Sequence, residues 1–141
     1  MDVKIKPSDL QSVVESMLRD YGDKVYVATD EGLAAAEKVL IDNLKAAAPS
    51  SFLYAETVGE AAKNEKSKDK LKNCFVGTGK KYRLVRFVGN SKTVESNGKN
   101  VPLLNILEYS EKHGHPFIKK TFEDSVNEMA AAVVATIKKG V

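Results

Sequence analysis

Few residues in this chain are of types and spacings that do chemistry. Gly77-Thr78-Gly79-Lys80 holds the glycines and lysine of a phosphate-cradling loop. Such a loop also needs a glycine five positions before its Gly-Lys pair and a hydroxyl residue after it, for the phosphates and the metal. Those places are Cys74 and Lys81, and the run lies between two strand-like stretches. The spacing therefore predicts a hairpin turn. His113 and His115, with Glu108 and Glu111 close by, are metal-ligand types, and a His-x-His pair falls on one side of an extended segment. Zinc takes three or four such groups. The chain has no third histidine and one distant cysteine, so a loop contact is expected there. Cys74 lies in an apolar strand-like stretch with no base or orienting group indicated, both of which a nucleophile requires. A buried structural thiol is expected. Glu108 and Glu111 share a helix side, as many solvent-facing pairs do.

The largest set of one sign is basic: Lys63, Lys66, Lys68, Lys70, Lys72, Lys80, Lys81, Arg83 and Arg86. Residues 1–60 carry eleven acids and six bases, a balance of −5, whereas residues 61–99 carry three and eleven, a balance of +8. Such asymmetry suits a nucleic-acid surface, an acidic face meeting a neighbour's basic face, or a solvated lysine-rich loop. Phe75, Tyr82 and Phe87 are interleaved, but strand alternation splits them between faces, against a continuous stacking platform for single strands. Backbone contact with passing DNA stays open.

The 141 residues fit one domain, 1–141, of ordinary globular composition, 43% hydrophobic and 29% charged. A single cysteine gives no internal disulfide framework and fits a reducing compartment. No apolar run is long enough to span a membrane, and the first ten residues lack the apolar core of a signal peptide. Cytoplasmic synthesis and use is the simplest expectation.

Several elements must position these groups. Ser8 and Gln11 form a capping-box start. Leu10, Val13, Val14, Met17, Leu18 and Tyr21 then give an apolar helical stripe. Gly22 suits a C-cap, and a second helix runs from about Lys24 to Ala48. One longer bent rod is the alternative, because an internal glycine costs only about 1 kcal/mol. Val25, Ala28, Gly32, Ala36, Val39, Asn43 and Ala47 share one side, and the small residues there admit a close neighbour. Pro49 stops the helix. Phe52, Ala55, Val58 and Ala62 line a weak helix, and Asn64–Lys72 holds almost nothing to bury. A flexible loop or arm is expected at about 50–72.

Asn73–Gly77 and Lys81–Gly89 read as strands, with both faces of the second partly apolar and so expected to be covered, by a helix on one side and a subunit on the other. Ser96-Asn97-Gly98 is a strong turn signal between Thr93–Glu95 and Lys99–Val101. Pro102 fits the first position of a short apolar helix carrying Leu103, Leu104, Ile106 and Leu107. Pro116 opens the last helix, with Ile118, Phe122, Val126, Met129, Val133 and Ile137 along it. The fold class read from this is α+β. A long N-terminal helix or helix pair and a C-terminal helix pack on a small, mainly antiparallel sheet.

In that order the chain resembles the neck and tail-completion (head-to-tail joining) proteins of tailed bacteriophages, related to the tenth gene product of a lambdoid coliphage. Three places carry the likeness: Leu44-Lys45-Ala46-Ala47-Ala48-Pro49; Lys70-Leu71-Lys72-Asn73-Cys74-Phe75; and Leu107-Glu108-Tyr109 followed by His115-Pro116-Phe117-Ile118. Pro49, Leu71, Glu108, Tyr109, Pro116 and Phe117 are the signature positions. Ser50-Ser51 stands where the family commonly has Asp-Thr-Gly, and Ser110 replaces a glycine. The resemblance implies a non-enzymatic virion structural protein with no cofactor, made in the bacterial host cytoplasm and located in the virion. Its implied partners are copies of itself in a ring, commonly hexameric, and other neck, head-completion or tail proteins. The alternative is a DNA-binding or DNA-channel protein using residues 63–99.

Overall fold

Helix α1 (Pro7–Ala47) is one continuous rod of 41 residues, about 60 Å long. The computed structural model describes residues 7–79 and 86–140. Of the two arrangements open in sequence, the single rod forms, and Gly22 does not cap it. A break there would forfeit a turn of hydrogen bonds between two helix-forming runs, whereas an internal glycine costs only about 1 kcal/mol.

Helix α2 (Ser51–Val58) and three short 3-10 turns (Glu60–Asn64, Ser67–Asp69, Leu71–Asn73) follow. Strands β1 (Phe75–Gly79) and β2 (Arg86–Asn90) pair antiparallel, with Gly77 opposite Val88. Strands β3 (Thr93–Ser96) and β4 (Lys99–Pro102) make a second two-stranded ribbon. Helix α3 (Leu103–Tyr109) and helix α4 (Ile118–Gly140) complete the chain. The fold class is α+β, and among the described residues the strands form two separate ribbons.

The β3–β4 turn is where the sequence places it. Asn97 and Gly98 both have positive φ, 52° and 78°, the left-handed pair that a two-residue hairpin loop needs. Gly77-Thr78-Gly79, expected as a turn, lies instead within β1. The reason is long-range. A Cβ on Gly77 would sit 1.7 Å from Glu37 Oε1, so the missing side chain lets α1 reach the strand. The connection between β1 and β2, residues 80–85, lies outside the described residues. So do the strand positions expected at Lys81–Val85.

Helix α4 runs antiparallel on α1. Asn43 Nδ2 donates to Ser125 Oγ at 2.9 Å near one end of the seam. Gly32 meets Val133 midway, and Gly140 meets Ala28 at the other end. The small residues on that side of α1 thus admit a helix backbone. Ser125 is buried in the seam, satisfied by Asn43 and by donating to the Thr121 carbonyl.

The core gathers at the C-terminal end of α1. Leu44, Tyr54, Ala55, Ala62, Leu71, Phe75, Leu103, Leu107 and Phe117 form one cluster. Phe75 and Phe117 meet edge to face with ring centres 6.2 Å apart. Residues 50–72 contribute to this cluster and differ from the expectation of little to bury. Tyr54 and Leu71 are both 0% exposed, while Phe52, expected to face inward, is exposed. Glu65 clamps the same segment through a 2.7 Å ion pair with Lys92, whose ammonium also reaches the Asp69 carbonyl and lies 5.8 Å from the Tyr54 ring centre.

Candidate functional site

Of the signature positions, Glu108, Phe117 and Leu71 have structural roles. Glu108, on α3, accepts through one carboxylate oxygen from the backbone N–H groups of Phe117 and Ile118, at 2.6 and 2.8 Å. A carboxylate on the first N–H groups of a helix satisfies orphan donors and sits at the positive end of the helix dipole. Glu108 therefore caps α4 from a neighbouring helix. Phe117 and Leu71 are core residues, and Pro49 ends the turn after α1. Pro116 precedes α4 by two residues rather than opening it. Tyr109 points the other way and is 82% exposed.

This cap gives a direct expectation. Glu108→Ala should lower the unfolding free energy by about 1–2 kcal/mol, and Glu108→Gln, which keeps an acceptor oxygen, by less. Urea titrations of both variants measure it. Equal losses would mean that the cap does not act through that oxygen.

The described members of the basic set stand in different surroundings. Lys66, Lys68 and Lys72 are exposed on the 3-10 segment, and Lys70 is half-buried beside them. Lys63 pairs with Glu60 at 3.2 Å. Arg86 is turned inward, 3.4 Å from both Asp30 and Glu37, on the side of β2 that faces α1. Lys80, Lys81 and Arg83 lie outside the described residues. Lys92, which sequence reasoning passed over, makes the tightest ion pair among those described. Its partner Glu65 stands far off in sequence, and no local pattern marks it.

Among the described residues, no three His, Cys, Asp or Glu side chains assemble as a metal-ligand group. The backbone N–H of His115 donates to the Leu107 carbonyl and that of His113 to Ser110 Oγ, so both histidines serve the α3–α4 turn. Cys74 is half-buried and its thiol lies 3.6 Å from the Lys68 carbonyl. Pro49, Ser50, Ser51, Tyr54, Lys70, Leu71 and Lys72 line a recess of about 250 Å³. No helix of the described residues is long and apolar enough to cross a membrane.

Large apolar side chains stand outside the core on separate elements. Met17, Leu18 and Tyr21 are exposed on α1, Phe52 and Leu53 on α2, and Tyr109 on α3. Val76 and Phe87 share the face of the β1–β2 ribbon turned away from α1. Helix α1 lies on the other face, and a subunit is the covering expected on this one. Scattered single apolar residues are normal on a surface, but contiguous stripes of them mark contact sites. The candidate site is therefore a set of contact faces, led by the exposed end of α1. Compared with family models, with curated proteins and with solved structures, the chain has no match.

Proposed function

We propose that this chain is a structural subunit of a phage virion. In this reading it assembles with copies of itself into a ring at the head–tail joint or the upper end of the tail. It works through shape, without a catalytic centre or cofactor, in the company of other neck, head-completion or tail proteins. It is made in the host cytoplasm and ends in the virion.

The observation that carries the reading is the spread of exposed apolar side chains over several elements, away from the core. A subunit of a closed ring needs two different faces, one for each neighbour. The opposed charge balances of residues 1–60 and 61–99 suit the same head-to-tail contact. The resemblance supplies the location, and its residues Glu108 and Phe117 have structural roles here, as capping and core residues.

The test is assembly. Purified chain, alone and with neighbouring virion proteins, is examined by native mass spectrometry and negative-stain microscopy. Closed particles of one stoichiometry are expected. Binding to duplex DNA is measured alongside over a range of salt. A DNA-binding protein loses affinity steeply between low and physiological salt, by about 0.9 log units per neutralised phosphate per log unit of salt. Tight DNA binding at physiological salt by a chain that never self-associates would replace the ring reading with the DNA reading.

A further inference from the structure

We infer that Asn97 is a self-modification site, at which the side-chain amide is lost through a cyclic imide formed with the backbone nitrogen of Gly98. The chemistry uses only this chain and water. The Gly98 nitrogen gives up its proton to solvent and attacks Asn97 Cγ. A bond forms between them, the Cγ–Nδ2 bond breaks, and Nδ2 takes up a proton and leaves as ammonia. The ring so closed holds the Gly98 nitrogen and the carbonyl carbon, Cα, Cβ and Cγ of Asn97. Water then opens it at either carbonyl. Opening at Cγ leaves aspartate at position 97. Opening at the main-chain carbonyl leaves isoaspartate, whose backbone runs through Cβ and Cγ and is one atom longer. Nothing is oxidised or reduced, and one water is consumed for each ammonia released.

The contrast with the other asparagines selects this position. Of the eight in the chain, Asn97 precedes a glycine, Asn90 a serine, and the rest larger side chains. A Cβ on the following residue crowds the attacking nitrogen, and glycine has none. Asn97 and Gly98 are exposed, as are Glu95, Lys99 and Asn100 around them. A Cβ added at Gly98 would meet nothing within 4 Å, so that side of the loop is open. In a two-residue loop the ladder closes between the flanking residues, here Ser96 and Lys99, and leaves the Gly98 N–H out. Among the described residues neither that N–H nor the Asn97 side chain has a hydrogen-bond partner.

Asn90-Ser91, the next pair in order of bulk, is locked. Asn90 Nδ2 donates to the Leu71 carbonyl at 2.9 Å, and Asn90 Oδ1 accepts from the Lys92 N–H at 2.9 Å. The Ser91 N–H, the nitrogen that would attack, donates to the Cys74 carbonyl at 2.9 Å. Ring closure there breaks all three bonds. The two products at position 97 differ in effect. Aspartate accepts the left-handed backbone that Asn97 has, φ 52°, so it keeps the turn and adds a negative charge to the tip. Isoaspartate puts an extra atom into a loop fitted to two positive-φ residues. The Ser96–Lys99 pair then opens, while Val94, packed on the core, holds the base of the ribbon. The inference concerns each copy alone and does not rest on the ring reading.

The test is peptide mapping by mass spectrometry of the full chain, incubated in mildly alkaline buffer at physiological temperature, folded and in urea. Isoaspartate is read by enzymatic methylation. In the folded chain the amide should be lost first at Asn97, with Asn90 slower by about tenfold or more, because its three hydrogen bonds must open. In urea Asn90 should speed up and the gap narrow. Asn97→Gln, whose longer side chain needs a larger ring, should keep its amide. Asn97→Asp should unfold as the wild type does and still accumulate isoaspartate through the same imide. An Asn97 that keeps its amide in the folded chain but loses it in urea, or an Asn90 that converts as fast as Asn97 in the folded chain, would overturn the proposal.

Discussion

Replacing Leu107 by alanine is expected to remove about 3–5 kcal/mol of unfolding free energy, the upper part of the range for buried leucines. Leu107 is 0% exposed and sits one helical turn from Leu103, also 0% exposed. The two lie on the same face of the seven-residue helix α3, which is too short to be stable alone and is held by what that face buries. Three carbons are lost from a cluster to which Leu44, Leu71, Phe75 and Phe117 also belong, contributed by four other parts of the chain. Those parts cannot all collapse inward together, so a cavity remains. The change also loosens the frame of the α3–α4 turn, because the Leu107 carbonyl accepts from His115 at 2.8 Å and Glu108 next to it caps α4. Chemical denaturation of the Leu107→Ala protein is the measurement, with exposed Tyr109→Ala as the control, expected within about 0.5 kcal/mol of wild type. A loss below about 1 kcal/mol at position 107 would show that α3 is not seated in the core.

Leu107 is also a residue the sequence makes plain, and the reason is locality. Four apolar residues among the five after Pro102 have nowhere to go but inward. The same holds for the Asn97-Gly98 turn, whose two residues are the types that accept positive φ. It holds too for the side of α1 bearing Ala28, Gly32 and Asn43, whose small residues announce a close neighbour. What stayed hidden is whatever depends on a partner distant in the chain. Gly77 reads as a turn glycine until Glu37 is seen to occupy the space above it. Glu108 reads as one of two helix acids until the start of α4 comes to rest against it. Arg86 reads as one base of nine until Asp30 and Glu37 close on it. Periodicity identifies an apolar stripe at Met17, Leu18 and Tyr21 but not whether anything covers it. The contact faces that make up the candidate site are of this kind, so the sequence names their residues without marking them as surface.

Tyr54 is the sharpest instance, and replacing it should cost as much as replacing Leu107. In the sequence Phe52, Ala55, Val58 and Ala62 look like the inward side of α2. In the structure Phe52 faces solvent and Tyr54 is 0% exposed. A tyrosine is buried whole only where its hydroxyl finds partners. Here the hydroxyl lies 3.1 Å from Ser51 Oγ and 3.4 Å from the Leu71 backbone N–H, while Ser51 itself donates to Glu65. Lys92, paired with Glu65, lies near the ring. Tyr54 is thus the post to which residues 60–74 are tied. Tyr54→Ala should cost about 3–5 kcal/mol, since an aromatic-sized cavity opens in the core. Tyr54→Phe keeps the packing and takes the acceptor from the Leu71 N–H, while the Ser51 hydroxyl keeps Glu65, a loss of about 1 kcal/mol. Limited proteolysis separates local from global failure. Cleavage within residues 60–74 should accelerate in Tyr54→Ala far more than in Tyr54→Phe, because the segment loses its anchor before the α1–α4 pair comes apart. If Tyr54→Ala cost less than about 1 kcal/mol, residues 50–72 would be the detachable arm that their composition suggests, and the core would have to be redrawn without them.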